Sequence, residues 1–531
     1  MKKFLKKRWA WIIGACILIA AVILLLVRCG GGPIPDLQNQ VSNLTEMVLL
    51  LRKEKFGSSS EKTKKQVEGQ LSLFNEAEVE ADSKSEEPVI CRKGSMYHKK
   101  PKTSREELLK DLPVEEFPCV LHPDDMFCNQ CGTSLKEISF VKVRDEIEYI
   151  PAQVQIIRYM QQACECPACK HTTKPFIKKA AVPKSVLNHS LASPSSVSYV
   201  MYQKYVNSVP LYRQEKDWEQ MGLSLSRATM ANWIIRCSED YLIPVTEYLR
   251  KRLLERDIVH CDETPVQVLK EDGKKPQTKS YMWLYRSGET EKSPIILYDY
   301  QPSRNGDHAA AYLKDFKGYV HSDGFSGYNK LNDIIRCGCW AHLRRKFVEA
   351  IPEKKSPDAP MCNAEIGRNY CDQLFHIEDS LKKLSPKERY HKRLELEKPV
   401  LDAFWCWLEN LTTLKGSALG KAVVYAKNQK PYMENYLLDG RLAISNNAAE
   451  NAIRPFTVGR KNWLFSDTPK GASASAAVYS IVETAKANGL NVFTYLEYLL
   501  LYMPDTDWRN HPEYLEDLMP WSENVQAECK R

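Results

Sequence analysis

The sequence predicts a multidomain α/β protein, and two features of the chain indicate this class. Strand-like stretches rich in β-branched and aromatic residues lie between Ile258 and Cys339. On both sides of them, apolar residues instead recur every three or four positions, as in amphipathic helices. With 531 residues the chain is long enough for several domains. We therefore expect one sheet-containing domain with helical segments before and after it.

The composition is that of a globular protein with a mild positive charge. Apolar residues make up 43% of the chain, charged residues make up 27%, and the net charge is +8. Basic residues cluster at 344–346 and at 460–461, which suits a polyanionic partner. The 17 cysteines include two Cys-x-x-Cys pairs and no short disulfide-rich pattern, which indicates bound metal in a reducing compartment.

The N-terminus carries a segment of a different kind. A basic start, residues 1–8, precedes an apolar run of 19 residues from Trp9 to Val27. A run of this length can cross a bilayer as a single-pass transmembrane helix, with its basic flank in the cytoplasm. A signal peptide is the alternative, but no clear small-x-small cleavage site follows. We expect a membrane-spanning helix.

A short coiled coil and a linker are predicted next. Apolar residues from Leu37 to Leu51 alternate at spacings of four and three, which is a short heptad seam. A single amphipathic helix explains the same spacing equally well. The stretch from Thr63 to Lys102 is polar and rich in charge, and we interpret it as a linker.

Four cysteines predict a structural zinc site. Each of the pairs Cys128/Cys131 and Cys166/Cys169 aims two thiolates at one point, and four thiolates complete a tetrahedral zinc site. Alternating apolar residues between the pairs predict a small sheet or zinc ribbon. Nearby residues leave the exact ligand set open: Cys119, His122, Cys164 and His171.

The stretch from Pro194 to Arg236 predicts helices in a helix-turn-helix arrangement. A glycine turn at 221–223 separates two amphipathic segments, and serines at 224 and 226 open the second of them. Such patterns also arise by chance in helical bundles. DNA contact is therefore one interpretation of this region, and a plain helical bundle is the other.

Between residues 258 and 350 the elements follow a recognisable order. Three strands come first, then a helix and a strand occur twice, and a helix ends the series, which is the order of a ribonuclease H-like core. Apolar periodicity from about Pro352 to Asn435 predicts a helical insertion that interrupts this core. A packed helix is expected again over 471–488.

Three acids are placed to converge on this core. Asp262 lies on the first strand, Asp323 ends the fourth, and Glu450 lies on a late helix. Converging carboxylates can hold two divalent cations, and Mg²⁺ suits such an all-oxygen site. Each acid also has an ordinary alternative, as a strand-end turn former, an Asp-Gly turn or a helix cap. Glu263 adjoins the first acid but faces the opposite side of the strand.

The segment around Glu450 predicts a short helix. The helix is expected to start at Asn446 or Asn447 and to end at Pro455. On it, Glu450 and Arg454 share one face. A capping box, with Glu450 bonded back to the start of the helix, is the alternative to a metal-binding role. Further cations of this segment are Arg441, Arg460 and Lys461.

Several blocks of sequence together carry a resemblance to a known family. They are 56–62, the cysteine module 128–169, 210–215, 260–264, 339–347 and 446–465. From Leu37 to about Met503 the chain resembles a transposase of the insertion-sequence-66 family, bacterial enzymes with an Asp-Asp-Glu catalytic core. A membrane-spanning start does not belong to that family's pattern, so we hypothesise an element inserted into, or fused behind, an unrelated membrane-protein start.

The resemblance implies both residues and partners. Asp262, Asp323 and Glu450 become a catalytic triad that uses Mg²⁺ or Mn²⁺, and Cys339-x-x-His342 matches a cysteine–histidine signature after the second acid. Implied partners are the terminal inverted repeats, target DNA, further copies of the chain and two small accessory proteins. Basic residues expected to contact DNA are Arg213, Arg227, Arg344, Arg345, Lys346, Arg454, Arg460 and Lys461.

Two functions follow as hypotheses. The first is a transposase that cuts transposon ends and joins them to target DNA in the cytoplasm or nucleoid. The second is a membrane-anchored zinc and helix-turn-helix DNA-binding protein with an inactive core. The expected segments are 1–32 membrane helix, 33–62 coiled coil, 63–110 linker, 111–180 zinc module, 181–245 helix-turn-helix, 246–351 first part of the core, 352–440 insertion, 441–503 second part of the core and 504–531 tail.

Overall fold

The structure is a computed structural model that describes residues 133–134, 153–165, 177–352 and 360–530. The predicted membrane helix at 9–27, coiled coil, linker and four zinc-ligand cysteines lie outside the described residues. Within the described ranges, no helix combines the length and apolar character needed to cross a membrane. The chain forms two compact units, and the description below concerns the larger one from Ile156 onward.

A two-stranded ribbon and four helices precede the central sheet. Ser226 caps the third helix by accepting a hydrogen bond from the Thr229 amide at 3.2 Å. Gly222, with a φ of 88°, makes the turn before it, a conformation that favours glycine. The elements are β1 (Ala163–Glu165), β2 (Ile177–Lys179), α1 (Pro194–Tyr205), α2 (Leu211–Gln220), α3 (Arg227–Cys237) and α4 (Ile243–Leu254).

The central sheet has five strands in the order β5-β4-β3-β6-β7. Within this sheet, β4 pairs antiparallel with both β3 and β5, whereas β6 pairs parallel with both β3 and β7. This arrangement places the first and fourth strands of the core side by side, as predicted. The elements are β3 (Ile258–Gln267), β4 (Lys279–Ser287), β5 (Ile296–Gln301), α5 (Gly306–Tyr312), β6 (Gly318–His321), β7 (Ile334–Cys337) and α6 (Trp340–Ala350).

Helices of the insertion follow α6 and are fastened to the core by one buried arginine. Arg393 is fully buried and donates hydrogen bonds to the carbonyls of Tyr436 at 2.9 Å and Leu442 at 2.8 Å. It also pairs with Glu378, which balances its charge. The helices are α7 (Asn363–Leu381), α8 (Pro386–Leu396), α9 (Lys398–Glu409) and α10 (Ala418–Met433).

The chain then returns to the sheet through four more helices. Hydroxyl groups on the second of them bond the open edge of β5: Ser480 accepts from the Tyr298 amide at 2.8 Å, and Thr484 donates to the Ile296 carbonyl at 2.8 Å. These bonds cover an edge that would otherwise be free to pair with another chain. The helices are α11 (Asn447–Trp463), α12 (Pro469–Ala487), α13 (Val492–Tyr502) and α14 (Glu523–Cys529).

Helix α11 corrects one prediction. It runs through Pro455 to Trp463, so the expected end at Pro455 is wrong. Proline removes one hydrogen bond inside a helix, but Phe456 and Gly459 bury this stretch against the core. A Cβ atom at Gly459 would collide with the hydroxyl of Tyr479 on α12, which shows how closely α11 packs against its neighbour. Tertiary packing therefore overrides the local preference of the proline.

Candidate functional site

The register of two parallel strands brings the first two acids to one place. His260 of β3 lies opposite His321 of β6, and their rings stack with centroids 4.3 Å apart. Asp262 lies two residues after His260 on β3. Asp323 lies two residues after His321, just beyond the end of β6 and not at its last position as predicted. The two aspartates therefore emerge next to each other at the same edge of the sheet.

In each aspartate, one carboxylate oxygen accepts a hydrogen bond from a backbone amide. Asp262 Oδ1 accepts a hydrogen bond from the Glu263 amide at 2.8 Å, and Asp323 Oδ1 accepts one from the Phe325 amide at 2.9 Å. Among the described residues, the second oxygen of each carboxylate has no hydrogen-bond partner. Both side chains are thus oriented while keeping one oxygen available for a ligand.

Helix α11 is fixed to β3 at both of its ends. At its start, the Asn446 side chain donates to the Cys261 carbonyl at 2.7 Å, and its oxygen lies 3.0 Å from His260 Nδ1. Beyond its end, the Ser466 amide donates to the Gln267 carbonyl at 2.9 Å. These contacts place the first turn of α11, which carries Glu450, beside the residues that precede Asp262.

Glu450 faces away from the start of its own helix. Its Oε2 accepts a hydrogen bond from Arg345 at 3.2 Å, and its Oε1 lies 2.8 Å from His342 Nε2 without the direction of a good hydrogen bond. Asn446 is the N-cap and makes no side-chain capping bond. The capping-box alternative is therefore wrong, since the carboxylate is directed toward α6.

The cations around Glu450 differ from those that the sequence suggested. Arg345 and His342 come from α6, whereas Arg441 pairs with Asp257 at 2.7 Å and with Asp439 at 2.8 Å. The fold brings α6 against the start of α11, a proximity that linear spacing does not contain.

The surroundings shift the pKa values of Asp262 and Glu450 in opposite directions. Burial, together with the negative charges of Glu263, Asp323 and Glu450, raises the pKa of Asp262 to about 8. Contact with His342 lowers the pKa of Glu450 despite its partial burial. Crowded carboxylates with free oxygens are what a divalent cation stabilises, because its charge offsets their repulsion. Asp262 and Asp323 therefore each leave an oxygen that fits a divalent metal. Both oxygens of Glu450 lie against His342 and Arg345, and the ligand atoms of the three acids do not all fall within 4.8 Å of one another.

Glu263 has a different role from its neighbour. Its side chain is 1% exposed and pairs with Arg304, which donates from Nε at 2.8 Å, while the Tyr328 hydroxyl donates at 2.6 Å. This carboxylate is satisfied within the protein. The alternation along β3 thus separates Glu263 from Asp262, as predicted.

Cys339 and His342 lie close to Glu450. One ligand atom of each residue lies within 4.8 Å of the others, a group that could hold a metal ion. Cys339 Sγ, however, accepts a hydrogen bond from the Asn446 amide at 3.1 Å, and burial raises the pKa of this thiol to about 11. A protonated, hydrogen-bonded thiol favours a packing role, in which Cys339 ties α6 to α11.

Arg336 was missed by the sequence analysis. This buried residue of β7 donates to Ser322 Oγ at 2.9 Å and also to the backbone carbonyl of Asp323. It reaches Gln429 Oε1 at 3.3 Å and stacks over Tyr432 at 4.5 Å, both on α10 of the insertion. A single arginine among the apolar residues of a predicted strand was the only signal available.

Replacing Arg336 with Met should loosen the loop that carries Asp323. Several buried acceptors would lose their donor, and we expect the free energy of unfolding to fall by about 2–3 kcal/mol. If these acids bind Mg²⁺, stabilisation of the folded protein by Mg²⁺ should also need a higher concentration than in the wild type. Denaturant unfolding and a magnesium titration measure these effects. Arg250→Met is the control, since Arg250 holds the Tyr312 carbonyl at 2.8 Å, and an equal shift in its magnesium titration would contradict this role.

Basic residues of α6 have separate environments. Arg344 pairs with Asp372 of the insertion, and Arg345 reaches Glu450. Lys346 is 41% exposed and lies 3.8 Å from a glutamate one turn away. Arg345 and Lys346 are therefore accessible beside the acids, whereas Arg344 joins the core to the insertion.

The basic residues of α11 differ in exposure, because Arg460 is partly buried against β3 whereas Arg454 and Lys461 are exposed. Arg460 donates to the Thr264 hydroxyl at 3.2 Å, two residues beyond Asp262 on β3. Arg213 on α2 and Arg227 at the start of α3 are also exposed.

Comparison with known proteins defines the class. Residues 189–474 match the family described as "Transposase IS66 family", and residues 125–170 match "zinc-finger binding domain of transposase IS66". Residues 43–117 match "Transposase C of IS166 homeodomain", and residues 480–521 match "IS66 C-terminal element". All four matches are parts of transposases, so the class of protein is a DNA transposase.

The first match alone covers more than half of the chain. The chain belongs to the IS66 family and is the transposase of an insertion sequence, which confirms the resemblance inferred from its motifs. It is also similar along most of its length to two proteins of Sinorhizobium fredii (strain NBRC 101917 / NGR234). Uncharacterized protein y4qI is 27% identical over 500 residues, which cover 91% of this chain and 89% of that protein. Uncharacterized protein y4hP is 26% identical, with coverage of 89% and 87%.

Proposed function

We propose that Asp262, Asp323 and Glu450 form the catalytic centre of this transposase. It would cut DNA at the transposon ends and join the freed 3′-hydroxyl to target DNA. The observation that carries the proposal is the meeting of β3, β6 and α11 at one edge of a sheet with ribonuclease H-like order. The raised pKa of Asp262 supports it, because that shift arises partly from the other two acids.

The residues of the centre have distinct tasks in this proposal. Asp262 and Asp323 each offer one free oxygen to a metal, and Glu450 adds a carboxylate kept ionised by His342 and Arg345. Two bound Mg²⁺ or Mn²⁺ ions would activate the attacking oxygen and stabilise the leaving oxygen in an in-line transfer.

Basic side chains next to the centre would bind the DNA backbone. Arg345, Lys346, Arg454, Arg460 and Lys461 lie on the two helices that border the acids, and phosphate contacts of this kind set the position of a strand. Arg344 would act less directly, because it is paired with the insertion.

Other regions would recognise the ends of the element. We propose that α2 and α3 contact the terminal inverted repeats through Arg213 and Arg227, which the exposure of both side chains supports. The zinc-finger match supports a structural Zn²⁺ held by Cys128, Cys131, Cys166 and Cys169.

Further partners extend the proposal. Self-association and binding of small accessory proteins from the same element would be detected by co-purification with a tagged chain.

Action in the cytoplasm or nucleoid follows from a DNA substrate. Fractionation of cells expressing the full chain would check whether residues 9–27 attach it to a membrane.

An assay on DNA that carries the element's ends tests the catalytic proposal. With Mg²⁺ the full chain should nick the end and then give joined products, and omitting Mg²⁺ should remove both activities. Omitting the ion, without adding a chelator, leaves a bound zinc in place. The absence of nicking under all conditions, with binding intact, would instead favour a DNA-binding protein with an inactive core. Nicking without joined products would indicate a nuclease.

A further inference from the structure

A cleft in the insertion has no role in the site described so far. It has a volume of about 500 Å³ and lies between α6, the loop before α10 and the first turns of α10. The polar residues that line it are Lys346, Thr413, Lys415, Lys421, Tyr425 and Asn428.

The charge of the cleft is one-sided. Three of its lining residues are lysines, and none is acidic. Lys415 and Lys421 are exposed, and neither makes an ion pair with any described carboxylate. Lys346 forms a weak surface ion pair with Glu349, at a distance of 3.8 Å. Clustered cations in a concave surface concentrate positive potential, which attracts a polyanion.

The cleft is continuous with the proposed catalytic centre. Tyr425 lines it and also packs against Gly324, where an added Cβ atom would lie 2.5 Å from the tyrosine ring. Gly324 directly follows Asp323 in the chain. On the other wall, Lys346 directly follows Arg345, which contacts Glu450. Both walls thus lead from the cleft to an acid of the centre.

We propose that this cleft binds the sugar–phosphate backbone of the DNA strand that adjoins the cleavage position, through Lys346, Lys415 and Lys421. The proposal rests on the proposed function, because the acids define where the strand is cut. The lysines recognise phosphate charge and not base sequence. Binding here would fix the strand on the insertion side of the centre and extend the contacts made by α6 and α11.

Salt dependence of DNA binding tests the cleft directly. The full chain carrying Lys415→Gln and Lys421→Gln is compared with wild type on duplex DNA that contains the terminal inverted repeat and continues past it. Loss of two phosphate contacts should reduce the slope of log K against log salt by about 2 and weaken binding about tenfold at low salt. An unchanged slope would overturn the proposal.

A matched control removes the same charge elsewhere in the insertion. Lys383 and Lys427 are exposed, and neither lines the cleft. Lys427 lies six residues after Lys421, about 240° around α10. The variant with Lys383→Gln and Lys427→Gln should keep the wild-type slope. An equal loss in this control would show a nonspecific charge effect and would also overturn the proposal.

Substrate truncation locates the bound strand. Two shortened duplexes are compared, each of which ends at the cleavage position and lacks the DNA on one side of it. The loss of affinity in the cleft variant should disappear with one of these duplexes. If the loss persists with both, the cleft does not bind a strand next to the centre. All of these measurements record binding. They can be repeated with Asp323→Asn in the background, so a failure of the catalytic assignment would leave the slope change intact and distinguishable.

Discussion

Asp323→Asn should abolish strand transfer while leaving binding to the transposon end unchanged. The substitution keeps the size of the side chain and its bond to the Phe325 amide, but it removes the negative charge that a divalent cation requires. Loss of one such ligand removes several kcal/mol of transition-state stabilisation, which corresponds to about a thousandfold or more in rate. Joined products on end-bearing DNA and an electrophoretic binding assay measure the two quantities.

Asp333→Asn is the matched control for this experiment. Asp333 is exposed, lies ten residues further along the chain, and has a φ of 57°, a conformation that asparagine accepts readily. It loses the same charge without touching the acids, so its strand transfer should equal that of wild type. Full activity in the Asp323 variant would refute the catalytic assignment.

Without magnesium or manganese, the wild-type protein should lose stability as the pH rises from about 4 to about 8. The carboxyl of Asp262 has a pKa of about 8 in the folded protein and 3.8 ordinarily. A group with a raised folded pKa holds its proton more tightly in the folded state. The stability of the folded protein therefore falls as pH rises between these two pKa values and stays lower above pH 8, by up to roughly 6 kcal/mol.

Asp262→Asn isolates this contribution because asparagine does not ionise. Denaturant unfolding at pH 5, 6.5 and 8 should show a stability gain for the variant over wild type that grows with pH. Added Mg²⁺ should stabilise wild type at pH 8 and have much less effect on the variant, since binding to the folded state alone shifts the unfolding equilibrium. A difference between the two proteins that is constant with pH would contradict the raised pKa.

The insertion contributes more to the site than its position in the sequence suggests. Gln429 and Tyr432 of α10 hold Arg336, and that arginine binds the carbonyl of Asp323. The helices that interrupt the core thus support the loop of its second acid. Linear spacing gives no indication of this, because the residues involved are about 90 positions apart.

Much of the core could be predicted because its signals are local. Alternating apolar residues marked the strands of the sheet, and the order of strands and helices predicted that β3 and β6 would be neighbours. Asp262 lies on β3 and Asp323 follows the end of β6, so their proximity followed from topology. The separation of Glu263 from Asp262 followed from the period of a strand.

The surroundings of Glu450 could not be predicted in the same way. Its sequence neighbours suggested pairing within α11 or a capping box, and its contacts are instead His342 and Arg345 of α6. The end of α11 was also misplaced, because burial of Phe456 outweighs the bond lost at Pro455. Both errors come from applying local preferences where tertiary contacts decide the outcome.

The amino-acid sequence by itself determined the class of fold and the family, and it marked out the three acids that we propose as catalytic, because strand alternation and dense motifs are properties of neighbouring residues. Only the tertiary structure decided which cations face Glu450, how Arg336 supports Asp323, and where the insertion forms a lysine-lined cleft. Those features depend on side chains from distant segments meeting in space, and packing free energy sets such meetings through the whole fold.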